Sequence, residues 1–297
     1  TSTLPIFSFS GRLDRSTAAP LRRQLLSDAH FEVIPLKNLT EQLQHLPLGA
    51  SVSVTASPNK SLDDTWNLAK DLLVRGFRPI PHLASRMLES RQQLDRLIKE
   101  LAELGLNELF LVGGDAPSPH GPYEDSIQVL QAILGLDHTL VHIGVTAYPD
   151  GHSFIETAAL SSSLRAKQEI LKEAGLASHA ATQMCFDPNT IRGWLESERA
   201  SGLEIPIHLG IPGVVERKKL LSVGARLGVG ASLRYLQKNR GTLARMVMPG
   251  GYNPSKLLSP LAGDLQRLDV QGLHIFTFNQ LEATVAWRND AISSLQT

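Results

Sequence analysis

Cysteine is nearly missing from this chain: Cys185 stands alone among 297 residues. That excludes an internal disulfide and any thiolate cluster for zinc or iron–sulfur. An excess of either charge is missing too, with 29 basic against 29 acidic residues and no polybasic block. Electrostatics therefore give no reason to expect nucleic acid or an anionic membrane as partner. No apolar run approaches the roughly 18 residues of a membrane span, and the first residues show no charged segment leading into an apolar stretch. The expectation is a soluble cytoplasmic protein; a homo-oligomer is left open. Aromatic residues are scarce at 5% while apolar residues reach 42%, a composition that fits a barrel filled by aliphatic layers.

What is present is a rhythm. Glu32, Thr55, His82, Asp115, Tyr148 and Gln183 fall near the ends of six successive apolar runs, separated by 23, 27, 33, 33 and 35 residues. Each step is about one strand plus one returning helix. Such units close into an α/β fold of the (βα)8 TIM-barrel type, about 250 residues long, whose strand C-termini carry the chemistry. Strands are expected at 30–34, 51–55, 78–83, 108–113, 140–147, 180–186, 205–211 and 273–278. Leu62, Trp66, Ala69 and Leu73 recur at helical spacing, as do Leu94, Leu97, Ile98, Leu101 and Leu104. Asp187-Pro188 reads as a helix start, and Gly202 as its end. In 51–55, Ser51, Ser53 and Thr55 share the inner face while Val52 and Val54 lie under helices. Residues 1–29 read as an N-terminal arm or helix and 30–297 as the barrel domain, with two helices and a loop inserted in 212–272. A doubly wound fold would need a glycine-rich turn after the first strand. Pro35-Leu36-Lys37-Asn38 is not one, and Gly228-Val229-Gly230 is only a weak phosphate-loop match.

The polar residues carry distinct chemistry. Glu32 lies among Phe31, Val33, Ile34 and Pro35; an apolar setting favours the neutral acid, the form a general acid needs. The alternative is a glutamate satisfied by a buried arginine or backbone amides. Gly113-Gly114 let the backbone approach a flat ligand, and Asp115 can then accept from ring N–H groups or, alternatively, cap its own turn. Gln183 can read an amide-like heterocycle edge or bond a neighbouring strand. His82 can polarise a ligand or be a satisfied structural histidine, and no residue shows metal-ligand spacing with it, so no metal is expected. Cys185 shares the parity of Gln183 and is read as structural, packed inside the barrel.

At these positions the chain resembles the methylenetetrahydrofolate reductase family. The resemblance rests on Phe31-Glu32-Val33-Ile34-Pro35, Ser53-Val54-Thr55 with its loop to Asn59, Pro81-His82-Leu83, Ala147-Tyr148-Pro149-Asp150-Gly151-His152 and Thr182-Gln183-Met184-Cys185-Phe186-Asp187. It implies a barrel oxidoreductase of one-carbon metabolism, a flavoprotein interconverting 5,10-methylenetetrahydrofolate and 5-methyltetrahydrofolate with NAD(P)H through FAD. By position, Glu32 resembles the acid that protonates N10 of the folate. Asp115 resembles the carboxylate beside flavin and pterin, and Gln183 a pterin contact, with Gln280 also facing the substrate. Thr55, His82, Gly114, Tyr123, Tyr148, His152 and Lys167 fall where the family holds FAD.

Departures from the family pattern concern cations. Its Arg-Gly-Asp is Gly113-Gly114-Asp115 here, its basic pair before the Thr-Gln strand thins to about Lys167, and its Leu-Asn-Arg is Phe278-Asn279-Gln280. The loop 210–217 lacks the family's aromatic. A divergent member is expected, with direct hydride transfer from NADH or NADPH, or a non-redox folate-binding barrel, as the alternatives.

Overall fold

The computed structural model describes residues 15–57, 59–216, 218–219, 247–248 and 251–295. Eight parallel strands close into a barrel: β1 (His30–Val33), β2 (Ser51–Val54), β3 (Arg78–Ala84), β4 (Glu108–Val112), β5 (His142–Ala147), β6 (Ala177–Thr182), β7 (Ile207–Pro212) and β10 (Val270–Phe276). The short strands β8 (Val247–Met248) and β9 (Gly251–Tyr252) form an antiparallel pair between β7 and β10. The fold is thus the α/β TIM barrel that the strand–helix rhythm implies. About half of the inserted region, including Gly228-Val229-Gly230, lies outside the described residues.

The helices follow from local chemistry. In α3 (Leu62–Val74), Ser61 and Asp64 make a reciprocal capping box at the start, and Trp66, Ala69 and Leu72 form the buried stripe. In α4 (Arg91–Glu103), Ser90 accepts from Gln93 N–H, and Leu94, Leu97, Ile98 and Leu101 face the strands. Asp125 caps α5 (Ser126–Leu134); Asp187 caps α7 (Pro188–Ala200), with Pro188 in its first turn as the sequence implies. Lys167 lies on α6 (Thr157–Glu173). The short α2 (Leu39–Gln42) follows β1, α8 (Ser255–Leu261) precedes β10, and α9 (Leu281–Ser293) follows it. The N-terminal segment contains α1 (Arg15–Ser27), against whose end Arg288 of α9 donates from Nε to Leu26 O at 2.6 Å and from Nη2 to Ser27 O at 2.9 Å.

Register divides each strand into two faces. Phe31, Val33, Val52, Val54, Leu83, Leu109, Leu111, Ile143, Val145, Leu209 and Ile275 are buried in the layer between strands and helices. The inner face runs through laterally paired residues, His30 with His274, His274 with Gly210, His208 with Gly272, Gly144 with His179 and His82 with Phe110. Aliphatic layers therefore do not fill this barrel. Beside a small patch of Ile80, Phe110 and Ala181, the interior holds six of the ten histidines: His30, His82, His142, His179, His208 and His274. Strand six also differs from expectation. It ends at Thr182, so Gln183 and Cys185 stand in the loop beyond it, and Cys185 packs in the outer core, its thiol directed at Asp187 O. Parity along a strand cannot be extended past its last ladder pair.

Candidate functional site at the strand C-termini

Because all eight strands run parallel, the residues after β4, β5 and β6 share one rim with the end of β1. Glu32 is the third residue of β1. Its apolar neighbours Phe31 and Val33 point outward, so the carboxylate does not sit in the apolar setting its sequence suggested; Oε2 lies 2.8 Å from His274 Nε2. The turn after β10 fixes the same strand end. Thr277 Oγ1 donates to the Glu32 carbonyl at 2.6 Å, while Asn279 accepts from Ile34 N–H and donates to Ile34 O, both at 2.9 Å. Asn279 does so at φ 60°, after Phe278 at φ 50°, in the left-handed region that asparagine enters more readily than most side chains. Gln280 follows at the start of α9, half-buried. Lys219 Nζ donates to Phe278 O at 2.8 Å, which brings a cation beside the turn that the sequence leaves without its arginine.

His82 is buried, its Nε2 2.8 Å from Ser53 Oγ and its ring centroid 4.6 Å from that of Phe110. Burial, then His274, push its pKa well below the ordinary histidine value. The Thr55 hydroxyl is buried with no partner among the described residues. Gln183 Oε1 accepts from Met184 N–H at 2.9 Å. Asp115 is exposed beyond β4 and near enough to Tyr148 to raise that phenol, after burial, above its usual range. Tyr148 in turn meets the His152 ring edge-on at 5.4 Å. Gly114 has φ 93°, and a Cβ there would come within 3.2 Å of Ala84, so this turn holds the backbone close to the end of β3.

A barrel with this strand-end set is what a sequence comparison then matches. Residues 33–228, about two thirds of the chain, fit the family described as Methylenetetrahydrofolate reductase. The chain belongs to the methylenetetrahydrofolate reductase family. The matched span holds Thr55, His82, Asp115, Tyr148 and Gln183, and it begins one residue after Glu32. Among solved structures, the chain is similar to an uncharacterized protein from Clostridium thermocellum that binds two copies of 5-methyl-5,6,7,8-tetrahydrofolic acid. The two share 14% identity over 92% of this chain and 99% of that one, with a TM-score of 0.64. At that identity the likeness is one of fold.

Among the described residues, the cations near this rim bond to the protein itself. Where the family's arginine is replaced by Gly113, the nearby Arg86 donates from Nε to Ala116 O at 2.8 Å, from Nη2 to Pro117 O at 3.0 Å and from Nη1 to Glu124 O at 3.1 Å. Its guanidinium thereby holds the loop after β4. Tyr123, in that loop, is buried in the core. Lys167 is buried on α6, and burial lowers its pKa to about 8, with Asp125 acting in the opposite direction. Arg165 pairs with Glu198 at 3.0 Å. Among the described residues, these cations do not fit a tightly gripped FAD diphosphate. Sequence reading missed His274, Asn279, Arg86 and Lys219. Only the first two carried a signal, since His274 shares inward parity with Phe276 and Asn279 is retained in the strand-eight motif.

Among the described residues no helix is long and apolar enough to cross a membrane.

Proposed function

We propose that this family member interconverts 5,10-methylenetetrahydrofolate and 5-methyltetrahydrofolate, with NAD(P)H donating hydride directly to the one-carbon unit. The observation that carries the reading is the Glu32–His274 pair, 2.8 Å apart on the inner face of the barrel, in a member of this family. Glu32 protonates N10 and opens the methylene bridge, leaving an iminium at N5. Hydride adds to its CH2 carbon, so methylenetetrahydrofolate, NAD(P)H and one proton become methyltetrahydrofolate and NAD(P)+. His274 orients the carboxylate and returns a proton to it. Asp115 and the Gln183 carboxamide read the pterin edge, and Gln280 lies toward the rest of the folate. That the Clostridium thermocellum protein binds 5-methyltetrahydrofolate supports a folate ligand for this fold.

A flavin-mediated route through FAD is the second reading, favoured by Gly114, Tyr148 and His152 at one rim. Purified protein tested anaerobically decides between them. Colourless protein that oxidises NADH or NADPH only when methylenetetrahydrofolate is present supports direct transfer, whereas a stoichiometric flavin spectrum bleached by NAD(P)H supports the second route. Glu32→Gln is expected to lower folate turnover by about 100-fold or more, the usual scale for a general acid. Unchanged turnover in that variant removes Glu32 from the chemistry.

A further inference from the structure

At the opposite end of the barrel from the folate rim lies a second group of side chains that this chemistry does not use. His30 is the first residue of β1, His208 the second of β7 and His179 the third of β6, so all three lie toward the strand N-termini. One ring nitrogen from each lies within 4.8 Å of those of the other two. The rings of His179 and His208 stack at 3.8 Å, and that of His30 stands 4.9 Å from His208 and 5.6 Å from His179.

Three features indicate that this space is built for imidazoles presenting lone pairs. Glycines clear it from two sides. A Cβ at Gly272 would come within 2.5 Å of the His208 ring, and one at Gly144 within 2.7 Å of His179. A neighbouring side chain orients one ring: His142 Nε2 is 2.7 Å from His179 Nδ1, while His142 Nδ1 is 3.9 Å from Glu108 Oε1. A hydrogen-bonded partner of this kind behind a ligating imidazole fixes its tautomer and aims its other nitrogen. That other nitrogen, His179 Nε2, and likewise His208 Nδ1 are buried without a hydrogen-bond partner among the described residues. His179 is 3% exposed, whereas His30 and His208 are half-buried and give access from the barrel floor.

An unsatisfied buried nitrogen is costly in a fold otherwise well hydrogen-bonded, and a metal ion satisfies such nitrogens together. We propose that His30, His179 and His208 form a binding site for one divalent transition-metal ion of the zinc class. Three neutral imidazoles with a fourth position open to water are a recognised zinc set, with Zn–N distances of about 2.0–2.1 Å; the half-buried His30 and His208 rings would turn toward His179 Nε2 to reach them. Borderline nitrogen donors without carboxylate or thiolate favour zinc, copper or nickel over magnesium or calcium. The ion ties β1, β6 and β7 together beneath the reaction chamber. It is separate from the Glu32, His82 and His274 group, which also converges within 4.8 Å but belongs to the folate rim.

Full-length protein stripped with chelator and titrated with Co2+ tests the site. The expected result is one equivalent bound, visible d–d absorption of a low-coordinate nitrogen site, displacement by Zn2+, and a melting temperature that rises with added Zn2+. His179→Ala and, where folding suffers, the half-buried His30→Gln are each expected to weaken Zn2+ binding by more than about 100-fold. His142→Ala is expected to weaken it by about 10- to 100-fold, the scale for a group that orients a ligand. His82→Ala is expected to leave it unchanged. No saturable binding overturns the proposal. So does binding that survives His179→Ala and His30→Gln, or that disappears in a folded His82→Ala variant, which would assign the ion to the upper group.

Discussion

Asn279 shows how much a single side chain can fix. It grips both polar groups of Ile34, the residue that follows β1, from a left-handed backbone. Asn279→Ala removes those bonds and leaves an alanine at φ 60°; a cost of about 2–3 kcal/mol follows from lost hydrogen bonds and left-handed strain. Chemical denaturation measures it, and a loss below about 0.5 kcal/mol would show that the turn does not depend on Asn279. Lys167 makes a separate prediction about pH. Its folded pKa of about 8 lies below the ordinary lysine value of 10.5, so between these values the unfolded chain holds the proton more tightly. Stability attributable to Lys167 therefore rises as pH goes from about 8 to 10.5, and below 8 the buried charge costs about 3 kcal/mol. Lys167→Met should accordingly gain most over the parent near neutral pH, with the gap closing by pH ~10.5. A gap independent of pH would mean that Lys167 is not titrating in this window.

At the scale of elements, the loop after β4 is held by a residue that follows β3. Arg86 bonds three of its carbonyls, Ala116, Pro117 and Glu124, and its own backbone accepts from His120 N–H at 2.9 Å. Those bonds to a charged donor supply what the loop lacks in buried apolar surface. Arg86→Ala is expected to raise the rate of proteolytic cleavage within 114–122 by about 10-fold or more, as a local loss of about 1.5–3 kcal/mol implies. Global melting should move little, because the strands keep their own pairing. Equal cleavage in variant and parent would sink the tether.

For the molecule as a whole, closure joins the two ends of the described chain. β1 pairs with β10, and α9 lies against α1, where Arg288 satisfies the last carbonyls of α1. Burial lowers the Arg288 pKa, with Asp28 opposing it, so the guanidinium is partly withdrawn from water while it makes these bonds. Arg288→Ala is expected to lower the urea midpoint by the equivalent of about 1.5–3 kcal/mol with an unchanged slope. A changed slope would mean that the ends separate before the barrel unfolds.

The sequence by itself determined the barrel, because a strand–helix repeat with one-sided apolar stripes has few ways to bury both layers. It also determined that Glu32, Asp115 and Gln183 would share a rim, since each stands near a strand C-terminus and parallel strands put those termini together. Tertiary structure decided who faces whom. Glu32 and His274 are 242 residues apart and meet only when β1 closes on β10. The apolar neighbours that made Glu32 look desolvated turn to the other side of the pleat. Apolar residues that continue past Thr182 make Gln183 and Cys185 read as strand; their place beyond its end depends on where pairing with β5 stops. The histidine cluster was beyond spacing rules of any kind, because its members come from β1, β6 and β7 and share no local motif. Periodicity is a property of one segment, whereas a site is a set of distances between segments, and only closure of the barrel sets those.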